Sequence, residues 1–287
     1  MKVIRLTDRS RGYPERLNVL HNPPKRLHTL GEDVNKLLST PVLGIVGSRK
    51  VTSYGRAVTE ELAESAVRAG ICIVSGLALG VDSIAHMSAL RLKGRTIAVL
   101  PSGLKSIYPA SHRKLAKEIA VKGGTLVSEY DDDFKPRRES FIQRNRIIAG
   151  LSDALLVTEA AERSGSLYTA NFALEAGRTV LAVPGSMNSP NSKGTNNLIK
   201  QGAIMVTSEQ DIFDALKISP DKLEQLDIYG DNEQETAVLI QLKSGIQDGD
   251  ELLKLCKMDI RSFQQTLTML EIKGVIAPLG NNQWRLK

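Results

Sequence analysis

The sequence predicts an α/β fold: a doubly wound, mostly parallel sheet followed by a small helical domain. Three observations predict it. Short runs rich in Val, Ile and Leu recur at 42–46, 71–74, 96–100, 125–127, 154–157, 179–183 and 204–206. Most of the gaps between them carry helical periodicity, as at 57–67, 84–92, 115–121 and 167–176. After residue 232 this rhythm stops, and three helical stretches lead into a terminal hairpin. Continuous apolar runs alternating with amphipathic helices require a parallel sheet covered on both faces. The first part therefore reads as an extended Rossmann-like domain, and the last as a winged helix.

Residues 1–40 read as a helical and extended preface. Tyr13 precedes Pro14, Leu17 and Leu20 stand at helical spacing, and Pro23-Pro24 ends the helix before 27–31 leads to the first strand. The sheet domain covers 41–218. Its first strand runs into Gly47-Ser48-Arg49, and Tyr54-Gly55 opens the next helix. Strand, small-residue loop and helix together aim backbone N–H groups and a helix N-terminus at an anion. Ligands of doubly wound sheets sit beyond the strand C-termini. Those edges hold Gly47-Ser48-Arg49, Ser75-Gly76, Ser102-Gly103, Ser128-Glu129, Glu159 with Ser164-Gly165-Ser166, and Pro184-Gly185. Such a row of small residues is read as a shallow floor for a ligand backbone. Residues 219–232, polar and acidic with Pro220 and Gly230, are read as a linker. In 233–287 helices are expected at 236–242, 250–255 and 260–272. A hairpin then turns on Asn281-Asn282.

The 287 residues carry a net charge of +6, unevenly spread. Residues 221–287 hold 8 Lys/Arg and 11 Asp/Glu, a net of −3, which leaves a net of +9 on residues 1–220. Within 135–146 (KPRRESFIQRNR) five basic residues stand against one acid, with Phe141 and Asn145 among them. A polyanion would be attracted to such a face, and salt would weaken it. Cys72 and Cys256 are the only cysteines, which fits reduced thiols and a cytoplasmic location. The apolar runs are far shorter than a membrane span, and the N-terminus lacks a signal-peptide core, so no membrane association is expected.

Several chemistries are excluded by pattern. Gly44-Ile45-Val46-Gly47 does not complete G-x-G-x-x-G, no P-loop exists, and HExxH and CxxC are absent, so neither a cofactor nor a metal is expected. Ser75, Asp82 and His86 supply the residue types of a hydrolase triad, but without a G-x-S-x-G elbow. Asp82 and His86, four apart, are expected to bond to each other on one helix. Arg49 suits a phosphate oxygen pair, the alternative being an ion pair with Glu129 or Glu159. Phe141 is either a stacking platform for an unpaired base or a core aromatic beside Ile142, Ile147 and Ile148.

Taken in order, Tyr13-Pro14, Pro23-Pro24, IVGSRK at 45–50, SGLALGVDSIAH at 75–86, GRTIAVLPSGL at 94–104, Tyr108-Pro109, FIQRNRIIAGLSDALLVTEA at 141–160, SGSLYTA at 164–170 and GTNNLIKQGA at 194–203 carry a resemblance. The chain resembles the DNA processing protein A (DprA, or Smf) family across the preface and the whole sheet domain. The resemblance implies a cytoplasmic protein, not an enzyme, that binds single-stranded DNA, protects it and loads the recombinase RecA onto it in natural transformation. It implies a homodimer formed through the Rossmann-like domain. It assigns phosphate contacts to Gly47, Ser48, Arg49 and Arg138, and the base contact to Phe141. Arg144-Asn145-Arg146 is implied to line the same pocket. The edges at Ser75-Gly76 and Ser164-Gly165-Ser166 are expected to carry further phosphates. One departure is Ala110, where some members place a lysine, and His112, Arg113 and Lys114 stand nearby as substitutes. The acidic winged helix is expected to serve interaction or dimer stability. A second reading is a nucleoside monophosphate hydrolase, with phosphate on 164–166 and Glu159 or Glu175 as acid/base, although its P-G-G-x-G-T signature is missing. A third is a duplex-binding regulator acting through the winged helix.

Overall fold

The computed structural model describes residues 3–218 and 232–286 and divides into two compact units, 1–224 and 225–287. The linker expected over 219–232 lies almost wholly outside the described residues. The first unit is built on a nine-stranded sheet: β1 (Ile4–Thr7), β2 (Arg26–Gly31), β3 (Val42–Val46), β4 (Cys72–Ser75), β5 (Thr96–Val99), β6 (Thr125–Ser128), β7 (Ala154–Val157), β8 (Thr179–Ala182) and β9 (Ile204–Met205). Its spatial order is β1-β2-β6-β5-β4-β3-β7-β8-β9. The seven apolar runs are the strands β3 to β9, all parallel to their neighbours in that set.

The preface differs from expectation. It adds two antiparallel strands, β1 on β2 and β2 on β6, with only a short 3-10 turn at Glu15–Val19 between them. IRLT lies exposed at the sheet edge, and RLHTLG sets the polar His28 and Thr29 among its buried residues, so neither has the continuous apolar signature of the central strands. Tyr13 is buried, and its hydroxyl donates to the Pro24 carbonyl at 2.7 Å, which joins the two Pro motifs across the turn.

The helices α1 (Val34–Leu37), α2 (Ser53–Arg68), α3 (Val81–Arg91), α4 (Arg113–Val121), α5 (Arg138–Leu151), α6 (Ser166–Glu175), α7 (Lys193–Lys200) and α8 (Glu209–Ala215) flank the sheet. Val42, Val46, Val74, Val99 and Val157 pack with Ile147, Ile148 and Leu151 of α5 and with Ala170 and Ala173 of α6. Ala98 and Leu126 point the other way, onto Ala116 and Ile119 of α4. Adjacent strand residues thus serve opposite faces, which is why the runs are apolar throughout.

In the second unit α9 (Glu233–Lys243), α10 (Gly249–Cys256) and α11 (Ile260–Ile272) precede the hairpin β10 (Ile276–Gly280) and β11 (Gln283–Leu286). Val238, Leu239, Leu252, Phe263, Leu267 and Ile276 form its core. Asn281 and Asn282 both take positive φ, 48° and 59°, as a tight two-residue hairpin turn requires. No helix among the described residues is long and apolar enough to cross a membrane.

Candidate nucleic-acid interface

From β3 the chain winds outward through β4, β5 and β6, then returns to place β7 on the other side of β3. The crevice between β3 and β7 is the topological switch point, where doubly wound sheets bind ligands. The loop after β3 is laced into it. Ser48 N–H donates to the Glu159 carbonyl at 2.7 Å, and Val81 N–H donates to the Ser48 carbonyl at 3.2 Å. A side chain on Gly47 would overlap Val81 and the Glu159 backbone, so this glycine is there for packing.

Glu159 follows β7 and is 2% exposed. Its carboxylate accepts from Thr52 N–H at 2.9 Å and from the Thr52 hydroxyl at 2.6 Å, while that hydroxyl caps α2 by accepting from Gly55 N–H at 3.1 Å. The anion at the start of α2 is therefore the protein's own carboxylate. Glu129, the other acid weighed as a partner for Arg49, pairs with Arg146 instead. Arg49 is exposed and places its guanidinium carbon 5.2 Å from the centre of the Phe141 ring. Two residues 92 positions apart, read separately as a phosphate contact and a base contact, thus stand together.

Phe141 is half-buried near the start of α5, between the exposed Arg138 and the buried Ile147 and Ile148. Tyr108 meets it edge to face, with centroids 5.3 Å apart at 77°. Tyr108 is 45% exposed, and sequence reasoning gave it no role. The available signal was its place at a strand-end loop ahead of Pro109, beside the basic His112, Arg113 and Lys114. Ala110 is exposed, as are Arg113 and Lys114, whereas the His112 ring is held by the Leu77 carbonyl at 2.9 Å. Arg113 and Lys114 are thus the substitutes whose charge faces solvent.

Three expectations need correction. Arg144 does not line a base pocket: it is 4% exposed, donates to the Gly76 and Val99 carbonyls, and donates through Nε to Asn145 Oδ1 at 3.1 Å. Burial lowers its pKa to about 10, so it stays a cation, and the nearby Asp82 carboxylate favours that charge. Ser75 and Gly76 do not face a phosphate. Ser75 is fully buried with its hydroxyl on the Ile45 carbonyl at 2.6 Å, and Gly76 N–H donates to Asp82 at 3.1 Å. A side chain at Gly76 would overlap the Arg144 guanidinium. Nor does His86 bond to Asp82; its Nδ1 is 2.7 Å from the Thr96 hydroxyl. These buried groups form a brace under the crevice, and the row of small residues reflects close packing of that brace at Gly47 and Gly76.

Asn145 carries the brace outward. Its amide donates to the Gly165 carbonyl at 3.3 Å, tying α5 to the turn that opens α6. There Ser164 and Ser166 share a hydrogen bond at 2.8 Å, and Gly165 is exposed with open space where a side chain would stand. Of the edge glycines Gly47, Gly76, Gly103, Gly165 and Gly185, Gly165 alone has open space where a side chain would stand. Arg49 and Tyr108 thus meet at Phe141, Arg138 lies one helical turn before it, and the 164–166 turn is tied to the same helix through Asn145. Among the described residues no cluster of His, Cys, Asp and Glu is arranged to hold a metal.

A family model described as DNA recombination-mediator protein A matches residues 4–217, and one described as the DprA winged helix domain matches residues 219–282. Protein Smf of Escherichia coli is 39% identical, covering 96% of this chain and 75% of that protein. The DNA processing protein DprA of Bacillus subtilis is 44% identical, covering 72% of this chain and 69% of that protein. The X-ray structure of DprA from Streptococcus pneumoniae superposes with a TM-score of 0.70 at 38% identity, over 74% of each chain. The structure of DNA processing protein A from Helicobacter pylori, reported for its unique single-stranded DNA binding mode, gives a TM-score of 0.67 at 36% identity, over 75% of this chain and 96% of that one. With matches of this extent over both units, the chain belongs to the DNA recombination-mediator protein A (DprA/Smf) family.

Proposed function

We propose that this chain binds single-stranded DNA across the switch-point crevice, protects the strand and loads RecA onto it, with no catalytic step of its own. The observation that carries the reading is the stacked pair of Arg49 and Phe141, with Tyr108 against the ring. A cation beside an aromatic platform matches the repeating unit of a single strand, a phosphate next to a base whose face is free. A duplex hides those faces, so the pair supports a preference for unpaired DNA. The related structure from Helicobacter pylori, described for its single-stranded DNA binding mode, supports the same reading. We place the protein in the cytoplasm as a homodimer joined through its sheet unit, acting in natural transformation or another homologous recombination route. The occupied state of Glu159, which spends both carboxylate oxygens on Thr52, supports a binding role over hydrolysis.

The test is fluorescence anisotropy with a labelled mixed-sequence strand at two salt concentrations. Arg49→Ala is expected to weaken binding by at least about tenfold at moderate salt while the melting temperature stays at the wild-type value. Wild-type affinity in that variant would remove the crevice from the account. RecA loading is measured as filament formation on a strand already covered by single-strand-binding protein. Incubation with AMP and CMP is expected to release no free base.

A further inference from the structure

Near its β1 edge the sheet bounds a second cavity, of about 580 Å³, which none of the crevice residues line. That volume falls in the range of about 300–1,000 Å³ usual for small-molecule sites. Strand register builds its wall. Arg5 of β1 stands directly opposite His28 of β2, and Arg26 lies two residues before His28, so all three side chains share one face of the hairpin. Lys105, Asp131 and Asp132 close the cavity from the loops after β5 and β6.

His28 is 2% exposed, and neither of its ring nitrogens has a hydrogen-bond partner. The Asp131 carboxylate stops 3.6 Å from Nε2. Burial lowers the pKa of the ring, which leaves it neutral with one donor and one acceptor. Asp132 Oδ1 is buried and equally unpartnered, while its other oxygen lies 3.6 Å from both Arg5 and Lys105. Arg26 reaches Asp131 only at 4.0 Å. Buried polar groups are ordinarily bonded, so unpartnered atoms on two residues that line one cavity mark a place for a polar ligand. A bare anion would meet Asp131 and Asp132, and a bare cation would meet three basic side chains. A nucleotide satisfies both sets, because its phosphate and its base edge are separate.

The loops that close this cavity run on in sequence to residues of the crevice. Gly103 N–H donates to the Phe134 carbonyl at 3.0 Å, and Lys105 N–H donates to the Asp132 carbonyl at 3.0 Å, joining the two loops. One of these loops continues to Tyr108 and the other to Arg138 and Phe141. We propose that the cavity takes a further nucleotide of the same bound strand, its base edge on His28 and Asp132 and its phosphate on Arg5, Arg26 and Lys105. The proposal rests on the single-strand reading above.

The chain has four histidines, so the ring signals of histidine-labelled protein can be followed by NMR and His28 assigned with His28→Gln. Saturation with a single strand of about 20 nucleotides, several times a minimal site, is expected to shift the His28 ring signals. The buried His86 serves as the control. In the same titration Arg26→Ala is expected to lose about threefold to tenfold in affinity, the size of one polar contact. Deoxyadenosine monophosphate alone is expected to leave His28 unmoved; a shift with the mononucleotide would make this a free-nucleotide site and overturn the strand assignment. His28 signals that stay put while anisotropy reports a bound strand would refute the cavity and leave the crevice standing. Failure of the strand to bind at all would remove the parent reading.

Discussion

Arg49 and Tyr108 both lean on Phe141, one with a cation and the other with a ring edge. Both are exposed, so each can be removed without opening the core. Tyr108→Ala is expected to weaken single-strand binding severalfold and leave the melting temperature unchanged, while Tyr108→Phe keeps wild-type affinity because the contact is made by the ring. Anisotropy and thermal melts on the same preparations check this. Beneath them His86 works in the opposite sense. Burial lowers its pKa from 6.5 to about 3, so the folded state holds it neutral while the unfolded chain takes up a proton. The unfolded state therefore binds more protons between those values, and stability falls as pH drops through that window. The contribution is complete above about pH 6.5 and is lost at up to about 1.4 kcal/mol per pH unit below it. Urea titrations at about pH 7 and pH 5 are expected to show this slope, reduced in His86→Gln.

At the scale of elements, α5 divides its labour along its length. Phe141 and Arg138 are presented outward, while Arg144, Ile147 and Ile148 are driven into the sheet. The two parts predict opposite phenotypes. Phe141→Ala is expected to cost about 1–3 kcal/mol of strand affinity with little loss of stability. Arg144→Met removes the cation beside buried Asp82 and leaves the Gly76 and Val99 carbonyls short of a donor. It is expected to destabilise by about 3–5 kcal/mol, read by urea denaturation. A sequence reading assigns the whole RNR segment to the pocket, because spacing alone cannot say which arginine turns inward. Helical spacing alone puts Phe141 and Arg144, three positions apart, on the same side of α5; the packing of its C-terminal part on the sheet separates them, burying Arg144 at the Gly76 gap and leaving Phe141 half-buried.

The whole molecule sets charge as well as shape. The sheet unit carries the basic excess and the crevice, whereas residues 221–287 are net acidic. A chain ending at residue 218 is therefore expected to keep single-strand affinity within about twofold of the full chain, since an acidic unit adds no phosphate attraction. A large loss, or loss of a preference for duplex, would instead give the winged helix a DNA-binding role. Gel shifts with single- and double-stranded probes decide between these outcomes.

The strands β3 to β9 and the winged helix were legible in the residues themselves, because continuous apolar runs, helical periodicity and turn chemistry are local properties. Family motifs added the pairing of Arg49 with Phe141 to one function. What only the tertiary structure decided is which of the motif residues face outward. Ser75, Gly76 and Arg144 went inward and Tyr108 outward, and Glu159 took the helix N-terminus that a ligand phosphate was expected to fill. Each of these outcomes turns on a contact between segments many residues apart, and such contacts are set by strand order and packing rather than by neighbours in the chain. The edge hairpin of β1 and β2, and the cavity that Arg5, Arg26 and His28 build on it, became visible for the same reason: register across strands brought them to one face.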